Sequence, residues 1–172
     1  DTLNFTGNNG YTEEVTTEEG DHGETHGRAR TASLGTLSIG TLNGTYTGST
    51  RSTVTLAGAG NTILGTISKT GGFSIGLIMN QTGTVTINGT YVNASGDNNS
   101  RINSGTLVLK NTSVGGFLLE NIGGSNPIID NQHASGSTIT LPNATQTWSG
   151  NFTFGSVGTT GALSLGNGAV TI

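Results

Sequence analysis

His22-Gly23-Glu24-Thr25-His26 is the densest group of potential ligands in the chain. On an extended strand, alternate residues share a face, so His22, Glu24 and His26 point the same way. Two imidazoles and a carboxylate are a suitable donor set for Zn²⁺. An extended strand nevertheless puts the two His Cα atoms about 13 Å apart, too far for one ion unless Gly23 bends the chain. An acidic surface loop accounts for the same residues without a metal, and no metal site is expected. Asp97, Glu120 and Asp130 are the only acids after residue 30. A carbohydrate-active enzyme needs at least a pair of converging carboxylates, so these three carry whatever chance of catalysis the chain has. His133 stands beside Gln132 and Ala134 and is expected in a surface turn. No His accompanies a Gly-x-Ser-x-Gly-like elbow, which leaves Ser-His-Asp catalysis without a base. The expected catalytic and cofactor-binding sets are empty.

Two further groups suggest binding. Thr-x-Thr occurs at Thr45/Thr47, Thr53/Thr55, Thr84/Thr86, Thr138/Thr140 and Thr145/Thr147. A flat ladder of such pairs orders water and would bind ice, but their intervals are uneven and Thr is a favoured strand-surface residue. Trp148, Tyr91, Tyr46 and Tyr11 would serve as sugar-stacking platforms or, equally, as covers for the core. The run Glu13–Glu24 is rich in carboxylates that Ca²⁺ prefers. It lacks the Asp/Gly spacing of calcium-binding β-rolls, and a solvated face that blunts the first coil explains it better.

The elements that must position these residues are short strands. Gly83–Leu109 shows the unit most clearly: Thr84-Val85-Thr86-Ile87 and Thr106-Leu107-Val108-Leu109 each follow a Gly or a Gly-Thr phrase, with Asn, Ser, Asp and Tyr91 between them. Alternation over four residues bounded by Gly and Asn predicts a half-buried strand. Two such strands one coil apart predict stacked repeats, since neither buries its apolar face alone. Comparable runs continue from Leu37-Ser38-Ile39 to Val170-Thr171-Ile172. At roughly 20 residues per coil the chain would hold about eight.

Composition points the same way. There are 30 Gly in 172 residues, only 9% charged and 5% aromatic residues. That is too little large apolar side chain for a centred core, and a net charge of −4 is too small for a charge-expanded disordered chain. A narrow core drawn out along an axis satisfies both. The expected fold is all-β, a right-handed parallel β-helix or β-solenoid, with an antiparallel β-sandwich of surface-protein or fibre type as the alternative. Ile39, Leu56, Ile87, Leu109, Leu141 and Leu165 are expected to stack inward. Residues 1–30 are expected to form an acidic cap or hairpin region, since seven of the ten acids lie within the first 24 residues. Residues 31–172 are expected to form the solenoid.

Gly83–Leu109 resembles the autotransporter-associated β-strand repeat. The features that carry the likeness are a Gly-Thr-aliphatic strand, the turn Asn88-Gly89-Thr90-Tyr91-Val92-Asn93, and a returning Gly-Thr-Leu strand. Asn43-Gly44-Thr45-Tyr46-Thr47-Gly48 repeats the turn, and the likeness spans Leu34 to Ile172. Asn80-Gln81-Thr82-Gly83 departs from the Lys-x-Gly that leads into the first strand, and the acidic start matches nothing in the pattern. The resemblance implies a right-handed parallel β-helix in a secreted passenger region on a bacterial surface, with a structural or adhesive role.

Partners follow partly by exclusion. The six Lys and Arg are scattered, so nucleic acid is not expected. The chain has no Cys, hence no disulfide framework. Its apolar runs are far too short to span a bilayer, so no transmembrane segment is expected. Asp1 stands first with no signal-like segment after it, which points to a start already removed. Val170-Thr171-Ile172 is an apolar strand phrase without a polar cap. It suggests either further repeats of the same polypeptide or end-to-end self-association into a filament. Surface glycans are the other expected partner.

Overall fold

A computed structural model of the chain describes residues 2–6, 16–19, 25–31, 35–46, 52–71, 75–92, 100–155 and 158–172. These form seventeen strands, numbered in chain order, and no helix. One sheet contains β1 (Thr2–Thr6), β4 (Thr36–Tyr46), β6 (Asn61–Gly71), β8 (Thr84–Ile87), β10 (Thr106–Leu109), β12 (Ile128–Asn131) and β15 (Thr153–Phe154), side by side in that order. A second contains β2 (Thr16–Glu19), β3 (Thr25–Thr31), β5 (Ser52–Gly58), β7 (Ile75–Gln81), β9 (Ser100–Ile102), β11 (Leu119–Ile122), β14 (Gln146–Trp148) and β17 (Val170–Thr171). A short third sheet pairs β13 (Ile139–Thr140) with β16 (Leu163–Ser164).

From β4 onward, successive strands of the first sheet belong to successive turns and pair in parallel. Thr84 lies beside Thr106 and Ile87 beside Leu109, joining the two halves of Gly83–Leu109 one turn apart. The result is a parallel β-solenoid of about five turns. The sandwich alternative falls, because antiparallel pairing occurs among the described residues only at β1 with β4 and β2 with β3. The expectation of about eight coils was too high. Register partners lie 22 residues apart at Thr84 and Thr106 and 26 apart at Asn121 and Thr147, more than the 20 assumed, and β1 and β2 pair antiparallel and so add nothing to the parallel stack.

The core is a set of columns that run along the axis. In the first sheet Leu37, Thr62, Val85, Leu107, Ile129 and Phe154 stand in one column, and Ile39, Leu64, Ile87, Leu109 and Asn131 in another. In the second, Leu56, Met79, Ile102, Ile122 and Trp148 stack. Of the six residues expected inward, Ile39, Leu56, Ile87, Leu109 and Leu141 are buried, and Leu165 packs half-buried against them. Period-two alternation achieves this: Val85 and Ile87 are buried while Thr84 and Thr86 between them stay half-exposed.

Polar side chains that enter the core bring partners with them, as burial demands. Thr62 donates to Gln81 Oε1 at 3.1 Å, and Gln81 Nε2 donates to the Gly60 carbonyl at 3.2 Å. Asn131, at the end of an otherwise aliphatic column, donates to the Ser137 and Ala162 carbonyls and accepts from the His133 N–H. Tyr91 is buried, with its hydroxyl on the Ile75 carbonyl. Burial pushes its phenol well above the usual range, while a hydrogen bond with Ser100 pulls the other way.

Candidate functional site

His22 and Glu24 lie outside the described residues. His26 lies in β3, where the backbone sets it opposite Glu18 of β2 and beside Thr53 of β5. Among the described residues, no group of three His, Cys, Asp or Glu is close enough to share a metal ion.

Of the three later acids, the two that the structure describes lie on different sheets. Asp97 lies outside the described residues, Glu120 belongs to the second sheet, and Asp130 belongs to the first. Glu120 Oε2 is 3.5 Å from Arg101 Nη2, on side chains that are half-exposed. It makes no hydrogen bond beyond that ion pair, which at such exposure contributes no more than about 1 kcal/mol.

Asp130 is fully buried although it shares its register column with Thr86 and Val108, on the outward side of the strands. Thr159 Oγ1 donates to its Oδ1 at 2.6 Å and Gln132 Nε2 to its Oδ2 at 2.9 Å. The chain leaves the β12–β15 ladder at Gly155 (φ +70°) and rejoins at Thr160, whose N–H reaches the Asn131 carbonyl. The carboxylate therefore anchors the returning chain, and its oxygens are spent on structural donors. Asp130→Ala should lower unfolding free energy by about 1–3 kcal/mol, measured by urea titration, because it strands those donors.

His133 adopts the expected turn, with a feature the sequence did not reveal. Ser135 Oγ lies 2.8 Å from His133 Nδ1 and 2.6 Å from Ser137 Oγ. A Ser–His pair invites a catalytic interpretation, but a triad presents Nε2 to its serine and reserves Nδ1 for the carboxylate. Here Nδ1 receives both the Ser135 hydroxyl and, at 3.4 Å, the Ser135 N–H. This is a local turn of a kind short polar side chains make with the backbone.

The Thr-x-Thr pairs are distributed over all three sheets. Thr53 and Thr55 lie in the second, Thr84 and Thr86 in the first, Thr140 in the third and Thr147 again in the second; Thr47 lies outside the described residues. Thr86 is flanked across the strands by Ile63 and Val108, and Thr55 by Ile78. The Thr-x-Thr pairs at 53/55 and 84/86 thus form no ladder with one another, although single threonines do align across β1, β4 and β6, as Thr2–Thr45–Thr70 and Thr6–Thr41–Thr66.

What the structure does assemble is an apolar surface at the last turn. Phe154 and Trp148 end their columns, and each meets Phe152 in an edge-to-face contact at 5.0 Å. Phe154 is 48% exposed and Val170 43%, in a chain whose interior columns are close to fully buried. Trp148, Phe154 and Val170, with Leu163 and Leu165, line a concavity of about 270 Å³. The polar groups in its wall are already engaged: Trp148 Nε1 donates to Gln146 Oε1 at 3.1 Å, and Gln146 Nε2 donates to the Leu165 carbonyl at 2.7 Å. None of its lining residues has a titratable or nucleophilic side chain, and the wall combines apolar side chains with the backbone of Gly166 and Gly168.

No family model, no curated protein and no solved structure matches this chain.

Proposed function

We propose that the chain is a non-catalytic structural or adhesive module of a secreted, cell-surface bacterial protein, related to the autotransporter-associated β-strand repeats. Its partners are further β-coils, either repeats of the same polypeptide or another copy, and surface glycans are the ligand class for an adhesive role. The observation that supports this most is the use made of the acids. Glu120 is paired with Arg101 on one sheet, and Asp130 is buried under structural donors on another. A hydrolase or lyase would need them free and facing one groove. The Gly-Thr-apolar phrase supports the repeat character, since Gly40-Thr41-Leu42, Gly65-Thr66-Ile67 and Gly89-Thr90-Tyr91 follow one another along the axis.

The competing class is a carbohydrate-active β-helix enzyme. Incubation with a panel of plant and bacterial polysaccharides is expected to release no reducing ends and no unsaturated products. Turnover that disappears in Glu120→Gln or Asp130→Asn would overturn the proposal.

A further inference from the structure

We propose that Asn88 is a spontaneous modification site, where the chain converts its own asparagine amide to a carboxylate set beside Lys110. Asn9, Asn43, Asn88 and Asn167 each precede a glycine, and Asn9 lies outside the described residues. Leu42-Asn43-Gly44-Thr45-Tyr46 and Ile87-Asn88-Gly89-Thr90-Tyr91 differ only in their first aliphatic residue. Any difference in reactivity between these two asparagines therefore belongs to the fold. In the reaction, hydroxide removes the Gly89 amide proton and the nitrogen attacks Asn88 Cγ. The N–Cγ bond forms, the Cγ–Nδ2 bond breaks, and the side-chain nitrogen leaves as ammonia. Water then opens the cyclic imide at either carbonyl, returning a proton to the Gly89 nitrogen and leaving a carboxylate. One opening gives aspartate and the other gives isoaspartate, whose backbone runs through the former side chain. The net exchange is water in and ammonia out, with nothing oxidised or reduced.

The reaction needs a free backbone N–H, a side-chain amide able to swing, and a bend that brings the two together. Asn88 meets all three. The chain leaves β8 at Ile87 and bends at Gly89, and Asn88 is exposed. Among the described residues, neither the Asn88 side chain nor the Gly89 N–H has a hydrogen-bond partner. The bend itself is held, since the Asn88 N–H donates to the Leu64 carbonyl at 3.0 Å and the Asn88 carbonyl accepts from Asn111 Nδ2 at 3.4 Å. Asn43 meets none of the three. It lies inside β4 between Asn4 of β1 and Ser68 of β6, its Oδ1 accepts from Ser68 Oγ at 3.3 Å, and Gly44 is buried. A strand paired on both sides must open before its backbone nitrogen can turn onto the side chain.

Lys110 decides what the new charge does. It follows Leu109 as Asn88 follows Ile87, about one strand spacing of ~4.8 Å away. It is exposed and makes no ion pair among the described residues. A carboxylate at Asn88 thus gains a cross-strand partner of opposite charge. Asn167 is exposed as well, but residues 139–172 contain no ionisable side chain, so a carboxylate formed there has no cation beside it. Isoaspartate acts differently from aspartate. It lengthens the backbone at a corner where even a Cβ on Gly89 would stand 2.4 Å from the Gly65 carbonyl carbon, and so it loosens the contact between turns.

Storage of the folded protein in mildly alkaline buffer, followed by proteolysis and mass spectrometry, reads each asparagine separately. Amide-to-acid exchange is expected at least about tenfold faster at Asn88 than at Asn43, because only Asn43 must wait for a strand to open. It should also run faster in alkaline than in neutral buffer, since the Gly89 nitrogen reacts only after losing its proton. In concentrated urea the two sites should convert at similar rates, as their matching local sequences require. Asn88→Gln should abolish the exchange at this position and leave the circular dichroism spectrum unchanged. Asn88→Asp supplies the aspartate product alone, and it should raise the urea midpoint slightly in the wild-type background but not beside Lys110→Ala. Equal rates at Asn88 and Asn43 in the folded protein would overturn the proposal. So would an Asn88 that converts in urea but not when folded. A midpoint change in Asn88→Asp that is the same with and without Lys110 would overturn the pairing.

Discussion

Phe117→Ala is expected to lower unfolding free energy by about 3–5 kcal/mol, the range for emptying a buried aromatic site. The ring is completely buried and meets Tyr91 edge-on, centroids 5.4 Å apart at 69°. Its backbone is held in a tight turn, with its N–H on the Val114 carbonyl at 2.9 Å. A column of aliphatic residues can close partly over a missing methyl group, but a turn held this way has little freedom to follow a lost ring. The lesion should also have a signature peculiar to solenoids. Each turn touches only its neighbours, so stability is close to a sum of turn and interface contributions. Weakening one interface should separate the urea transition into two steps, with amide protection in β9–β12 lost before that in β5–β7. A single transition at the wild-type midpoint would show that the ring contributes little there.

Much of the fold was legible in the sequence because the alternating runs are self-describing. Thr84-Val85-Thr86-Ile87 and Thr106-Leu107-Val108-Leu109 pair residue for residue in the structure. Less legible was which phrases are equivalent. Asn43-Gly44-Thr45-Tyr46 and Asn88-Gly89-Thr90-Tyr91 are identical in sequence, yet they occupy different places in the turn. Tyr46 pairs with Gly71, whereas Tyr91 follows Ile67, which follows Leu42. The structural equivalent of the second phrase is Gly40-Thr41-Leu42, four residues upstream of the first by its apolar member. Only the register distinguishes them, and register is set by which side chains must face the core, a long-range property.

The site was less legible than the fold. Sequence distinguishes acids by number and spacing, but not by whether their oxygens are already occupied. Asp130 looked like one of three available carboxylates. In fact Thr159, 29 positions away, donates to it across a loop that no local pattern announces. Trp148 was legible as a cover for the core or as a platform. It is the half-covered end of the column begun by Leu56 and Met79, a role decided by its place in the stack.

Gly65→Ala is expected to cost about 3 kcal/mol, at the upper end for overpacking, although it adds one methyl group to a half-exposed residue. Turn conformation alone would not require glycine at this position, since Gly65 is not among the residues with positive φ. Close approach does. A Cβ at Gly65 would stand 2.1 Å from the Gly40 carbonyl oxygen of the turn before, and one at Gly89 would stand 2.4 Å from the Gly65 carbonyl carbon. Three glycines in succession thus let neighbouring backbones sit against each other where the chain rounds its corner. The atoms in the way are backbone, held by the β4–β6 ladder on both sides of the corner, so relief means prising two turns apart. Gly115→Ala is the matched control. Its Cβ would meet nothing within 4 Å and its φ is not positive, so stability should change by no more than about 0.5 kcal/mol. Thermal and urea unfolding of the two variants side by side measure the difference. Equal stability would mean that the turns at this corner are spaced more widely than the ladder implies. A large loss confined to Gly65→Ala would identify backbone proximity, rather than turn conformation, as the reason this corner is glycine in every turn from β4 to β8.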